Sequence, residues 1–219
     1  MESNSDIIGA IRSNLDKFNK YNGIKLGNLQ RTLAEQQIVN LLDFIPYLLT
    51  VNTTDLPGHV PSEKVPLGIC GYTPPPRLFE FLARWFPGLD VKRGRAGEPF
   101  IQMLALIGSC GTIAFTKQSD FDFWICYHEG RYDREAINLF KMKLRSIETW
   151  IYDKFNVEIH FYLNEIGRVK NNVFADDEEQ LSGSSIGELL KEEFLRSSIV
   201  LHGKAPFWWV VPSDADNPV

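Results

Sequence analysis

"GSCGTIAFTKQSDFDFWICYH" spans residues 108–128, and its reading decides the fold. A Gly-Ser pair closes one apolar run. Ten residues later two aspartates, Asp120 and Asp122, open a second run that alternates. Successive side chains of a strand point to opposite faces, so Asp120, Asp122, Trp124 and Cys126 share one face. Phe121, Phe123 and Ile125 share the other and belong in a core. Carboxylates in such a strand are costly unless a positive charge balances them. The stretch is either a solvated strand edge or a place that holds a cation.

The flanking sequence supplies partners for this strand. "FIQMLALIG" (100–108) is an apolar run of buried-strand length, and "VEIHFYLNE" (157–165) alternates again. Between the last two lies "DREAINLFKMKLRSIETWIYDKF" (133–155), with Ile137, Phe140, Leu144, Ile147 and Ile151 in one helical stripe. The core is therefore strand, tight turn, strand, long helix, strand. In the third strand Glu158, His160 and Tyr162 share a face. If the last two strands are neighbours, Asp120, Asp122 and Glu158 converge. Clustered oxygen donors suit Mg²⁺ or Mn²⁺, which share their remaining positions with water and substrate phosphates. Gly108 and Ser109 at the preceding strand end form a turn that a phosphate can approach.

The amino-terminal part reads as helical. Ile8, Ile11, Leu15 and Phe18 recur at helical spacing, and Gly23 and Gly27 are expected to break that helix. Residues 29–49 read as a second helix interrupted by Pro46. Residues 51–76, dense in Pro and Gly, read as an ordered loop, followed by a short helix at 77–86. Residues 29–86 are expected to pack on the sheet and to form one wall of a cleft at the carboxylates. At the other end, 184–203 reads as a final helix capped by Ser184 or Ser185 and closed by Gly203, and "PFWWVVP" (206–212) as a short strand or packed segment. The division is thus 1–95, a helical segment with a packed loop, and 96–219, a catalytic core.

Composition narrows the classes. The 219 residues are 44% hydrophobic and 23% charged, as in a globular protein. A net charge of −5 gives no electrostatic footing for nucleic acid. Three cysteines without a CxxC pair argue against zinc and a disulfide framework and fit a cytoplasmic setting. No run reaches the roughly 18 apolar residues of a membrane span.

The conjunction of Gly-Ser, DxD and a later strand carboxylate resembles the DNA-polymerase-β-type nucleotidyltransferase superfamily. "SDFDFWIC" (119–126) narrows the match: it resembles the Ser-Asp-Leu-Asp-Ile-Trp segment of class I, enterobacterial-type adenylate cyclases. "PYLLTVNTTDLPGHV" (46–60), "PLGICGYTP" (66–74), "VEIHFYL" (157–163) and "LLKEEFLRSSIVLHGKAPFWWVVP" (189–212) resemble further segments of that family. Thr53-Thr54 and His59 depart from its His-Pro and Tyr.

The resemblance implies an α+β fold with a polymerase-β-type core, a mixed sheet flanked by helices, behind the N-terminal helical segment. It implies conversion of ATP to 3′,5′-cyclic AMP and pyrophosphate, with Asp120, Asp122 and Glu158 as catalytic residues holding two Mg²⁺ or Mn²⁺ ions. Gly108, Ser109, Ser119, Trp124 and Lys204 are the substrate-binding candidates. Trp124 is expected to wall the base or ribose, and Lys204 to offset charge on the pyrophosphate. The family's longer chains imply a regulatory C-terminal region or regulator protein beyond this catalytic region. The competing readings are NMP transfer to a protein or small acceptor, and a nucleotide-binding fragment without turnover.

Overall fold

The structure is a computed structural model, and it describes residues 4–35, 38–90, 98–110, 112, 115–116, 119–128, 130, 132–170, 192–194 and 196–212. The 95/96 division and the Ser184 or Ser185 cap lie outside the described residues.

Four strands build one mixed sheet. They are β1 (Ile101–Ile107), β2 (Phe121–Tyr127), β3 (Ile159–Glu165) and β4 (Ile199–Gly203), in the order β3-β2-β1-β4. β1 pairs antiparallel with both β2 and β4, whereas β2 and β3 are parallel. A parallel pair needs a crossover, and the helix Arg134–Phe155 supplies it. The other helices are α1 (Asn4–Glu35), α2 (Leu41–Leu48) and α3 (Pro76–Trp85) before the sheet, so the crossover is α4. Two short helices, α5 (Ile166–Lys170) and α6 (Phe207–Val210), follow β3 and β4. The fold is α+β, as expected.

α4 forms where its sequence permits. Asp133 caps it by accepting the Ala136 N–H at 2.8 Å, and Asn156 ends it in the left-handed conformation, φ 51°. Phe140, Leu144, Ile147 and Ile151 on its stripe are all buried. They meet Phe121, Phe123 and Ile125 of β2 in the main core, which also takes in Leu33, Phe44, Leu48, Val65 and Leu82. Each such side chain contributes about 1.5–3 kcal/mol when fully buried. Lys143 is buried in this layer as well. Its Nζ donates to the carbonyls of Val51 (2.8 Å) and Gly58 (3.0 Å), which fastens the Pro/Gly-rich loop to α4. Burial lowers its pKa to about 8.

Several expectations are corrected. α1 runs unbroken through Gly23 and Gly27. A helical glycine costs only about 1 kcal/mol relative to alanine, and docking against β4 outweighs it. The Asn22 side chain pairs with both the N–H and the C=O of Val200, at 2.8 Å each, closing that sheet edge. Residues 29–49 belong to two helices, and Pro46 sits inside α2 close to its end. The expected final helix ends early: residues 192–194 and 196–197 are helical, but 199–203 are β4. Gly203 does not close a helix. It has φ 101°, and a Cβ there would lie 2.3 Å from the Gln102 carbonyl, so it permits a close strand approach. Residues 207–210, expected as a short strand or packed segment, form α6.

Candidate active site

The alternation read from β2 holds. Asp122, Trp124 and Cys126 share a face with Met103, Ala105 and Ile107 of β1, and Phe121, Phe123 and Ile125 face α4. In the parallel register Asp122 lies opposite His160, and Trp124 opposite Tyr162. The Phe121 N–H donates to the Glu158 carbonyl at 3.0 Å, which sets Asp120 beside Glu158 along the two chains. The strand ends thus bring Asp120, Asp122, His160 and Tyr162 to one corner of the sheet.

Asp122 is half-buried and Asp120 exposed. Burial first, then the Asp120 charge and the Glu193 charge, raises the Asp122 pKa to about 6, against the opposing pull of His160 and a hydrogen bond from Tyr162. Cys110, buried beneath the pair, is pushed up to about 12 by burial and the two aspartates. A carboxylate raised first by burial and then by its neighbours gains from a nearby cation. Two carboxylates suffice to begin a Mg²⁺ or Mn²⁺ shell, because substrate phosphates and water complete it.

Gly108 closes β1 beside this pair. Its φ of 84° requires glycine, and a Cβ there would stand 3.4 Å from Asp122 Oδ2 and 3.7 Å from Glu193 Oε1.

The adenylate cyclase NT domain family model matches residues 10–209. The chain belongs to the adenylate cyclase N-terminal domain family. It is 31% identical over 186 residues to the adenylate cyclases of Shigella flexneri and Escherichia coli K12, covering 84% of this chain and 21% of each relative. It is 32% identical over 183 residues to that of Yersinia pestis, covering 82% of this chain. The chain therefore spans about a fifth of the length of these relatives. No solved structure matches it significantly.

Within this adenylate cyclase N-terminal domain, not every expected site residue joins the pair. Glu158 is exposed, with Oε1 3.3 Å from His160 Nε2. Among the described residues, no three His, Cys, Asp or Glu side chains are grouped to hold a metal ion. Gly108 is at the site, but its N–H donates to Ser197 Oγ at 3.0 Å and is not free for a phosphate. The Ser109 carbonyl accepts from Thr112 Oγ1 at 2.7 Å. Ser119 Oγ accepts the Thr116 N–H at 3.0 Å and closes a turn just before the DxD.

Trp124 lies on the expected face but is only 1% exposed, its ring stacked on Phe194 at 4.6 Å and 18°. An indole enclosed this way has no side open to a base or ribose. Phe194 covers it, and sequence alternation could not foresee that.

Lys204 is not brought to the carboxylates. Its N–H donates to the Gln102 carbonyl at 2.9 Å, beside the start of β1, whereas Asp122 pairs with Ile107 at the end of β1. β4 runs antiparallel to β1, so it enters near the site and leaves at the far end.

The amino-terminal layer packs on the sheet as expected, but its α2, α3 and loop residues share the core with α4 on the face opposite Asp122. A cleft of about 480 Å³ lined by Tyr47, Asn52, His59, Glu63 and Asp90 opens within that layer. The Asp122 face is instead flanked by α1 through Phe18, and by Phe194. Sequence reasoning did not single out Glu193, whose charge acts on Asp122. Its only signal was its place in the 189–212 motif.

Proposed function

We propose that this domain carries the site at which ATP is cyclised to 3′,5′-cyclic AMP and pyrophosphate. The observation that carries the reading is the Asp120–Asp122 pair, whose inner member is half-buried and self-repelled at the corner of a mixed sheet. Membership of a family whose relatives are named adenylate cyclase supports it. The strand order around the pair is compatible with a polymerase-β-type nucleotidyltransferase core, and we adopt that as the fold-level reading, with 1–95 as the helical and loop layer and 96–219 as the core.

In this reading Asp120 and Asp122 would hold Mg²⁺ or Mn²⁺, two ions, together with the triphosphate. When bound, the ions neutralise phosphate charge and acidify the ribose 3′-hydroxyl. The 3′-oxygen forms a bond to the α-phosphorus, and the bond from that phosphorus to the β-phosphate bridging oxygen breaks, releasing pyrophosphate. Nucleophile and electrophile belong to one molecule, so the residues' work is to hold the sugar folded toward the phosphate. Glu158 accepts the hydroxyl proton and shares it with His160, with Oε1 and Nε2 3.3 Å apart. Tyr162 steadies Asp122 by donating its hydroxyl hydrogen. Gly108, lacking a Cβ, leaves the space beside Asp122 open. Ser109 and Ser119 shape the turns at either end of the 108–119 loop.

The test is product identification by mass. The purified chain with ATP and Mg²⁺ or Mn²⁺ should yield cyclic AMP and pyrophosphate in equal amounts. An adenylylated acceptor would replace this reading with NMP transfer. Tight ATP binding with no product would place the missing groups in a region outside this domain.

A further inference from the structure

We infer that Ser197 is a positioning residue for the proposed cyclisation, its hydroxyl holding the Gly108 turn against Asp122. This rests on the proposed reading of the Asp120–Asp122 site and adds to it a residue that acts through another.

Strand register is the first argument. β4 pairs antiparallel with β1, with Ala105 opposite Val200 and Leu106 opposite Ile199. Continued by two residues, that register sets Gly108 opposite Ser197. The backbone ladder has stopped there, and a side chain continues it: the Gly108 N–H donates to Ser197 Oγ at 3.0 Å. The same Oγ donates to the Glu193 carbonyl at 2.7 Å. One hydroxyl thus joins the end of β1 to the helical turn that leads into β4.

The second argument is what Gly108 lies against. Ile107 is paired with Asp122, and Gly108 follows with φ 84°. A Cβ on Gly108 would stand 3.4 Å from Asp122 Oδ2, so its main chain forms a wall beside that carboxylate. Glycine has the freest backbone of any residue, and an outside contact must fix it. Ser197 supplies that contact. A misplacement of about 1 Å in a catalytic constellation can cost about a hundredfold in rate.

The third argument is that Ser197 is itself held from α1. Lys25 Nζ donates to the carbonyls of Ser197 (2.9 Å) and Ser198 (2.8 Å). Asn22, three residues earlier and so on the same side of the helix, grips the Val200 N–H and C=O at 2.8 Å each. The series Lys25, Ser197, Gly108 therefore carries the position of α1 to Asp122.

The experiment measures kcat and KM for ATP with Mn²⁺, beside the melting temperature, on the full chain and four variants. Ser197→Ala should lower kcat about tenfold and leave KM within about threefold. Ser197→Thr, which keeps the hydroxyl, should return kcat to within about threefold of the parent. Asn14→Ala is the control for loosened packing. It removes the bond from Asn14 Nδ2 to the Val210 carbonyl, which fastens α6 to α1 away from Ser197. It should lower the melting temperature without changing kcat per folded molecule, and Asp122→Asn should abolish turnover. If Ser197→Ala lowers only the melting temperature, Ser197 is structural and the inference falls. A lower KM with unchanged kcat would also overturn it, because Ser197 would then be withholding the Gly108 N–H from a phosphate. So would a folded Ser197→Thr no better than Ser197→Ala. Each of these outcomes, with Asp122→Asn inactive, leaves the reading of the aspartate pair intact. Undiminished turnover in Asp122→Asn would overturn both, and a parent chain that forms no cyclic AMP would remove the inference with the turnover it refers to.

Discussion

The two faces of the sheet are built on different terms. The face toward α4 is one continuous apolar layer, in which Phe121, Phe123, Ile125, Phe140, Ile147 and the amino-terminal helices bury one another. Lys143, buried in that layer, is satisfied by two backbone carbonyls. The opposite face holds a smaller cluster, Phe18, Met103, Trp124, Cys126, Phe194 and Val200, and then gives way at the strand ends to carboxylates. The same strand, β2, supplies both faces by alternation. One face is stabilised by burial; the other carries charge that burial penalises. Substitutions on the first should therefore read out as stability, and those at the carboxylate end of the second as chemistry.

Trp124 gives the sharpest test of where that boundary runs, since it stands on the carboxylate face yet is fully enclosed. Trp124→Ala should destabilise by about 3–5 kcal/mol, with near-normal turnover per folded molecule. Thermal or urea unfolding measured beside kinetics checks this. A stable variant with a crippled kcat/KM would move the boundary one pleat further and restore the indole to the substrate.

Lys143→Met comes next and lies wholly on the other face. It leaves the Val51 and Gly58 carbonyls without their donor, at a cost of about 1–3 kcal/mol for each group left unsatisfied. Denaturant midpoints should fall while Mn²⁺ affinity stays unchanged. A loss of Mn²⁺ affinity in the folded variant would mean the two faces are coupled.

The pH dependence separates the faces without mutation. Asp122, raised to about 6 from its ordinary value near 4, binds protons more tightly folded than unfolded. Its contribution to metal-free stability is therefore full below about pH 4 and is lost as pH rises through about 6. Mn²⁺ affinity should run the other way and fall as pH drops below about 6. Asp122→Asn should flatten both curves in that window, and unchanged curves would remove Asp122 from the site. The smallest effect belongs to Lys204→Ala, at the far end of β4. Its turnover and stability should stay within about twofold and about 0.5 kcal/mol of the parent chain. A larger kinetic loss would bring that strand end into the site.

The legible parts of the fold were those where one local pattern fixed the outcome. The alternation in 121–127, the stripe of α4 and the strand lengths sufficed for the β1-β2-α4-β3 core. The failures came where tertiary contacts overrode local preference. Gly23 and Gly27 read as breaks, but Asn22 and Lys25 dock α1 on β4 and its approach. Residues 199–203 continue a helix-forming stretch, yet the open edge of β1 takes them as a strand. At the site, Asp120 and Asp122 were legible because their spacing is local. Glu193 was not, because its approach to Asp122 depends on the Ser197–Gly108 contact across 89 positions of sequence. Trp124 was placed on the right face, but its cover, Phe194, is also distant in sequence.

The central claim is that the Asp120–Asp122 corner carries the chemistry and that its charges do not help to hold the fold. Asp122→Asn tests it most directly, with cyclic AMP formation and melting temperature measured on the same preparation. The predicted result is a fall in turnover of at least about a hundredfold, equivalent to about 2.7 kcal/mol of transition-state stabilisation. The metal-free melting temperature should be equal to or above the parent's, since a repelled carboxylate has been removed. Retained cyclic AMP formation, or lost activity that merely tracks unfolding, would contradict it.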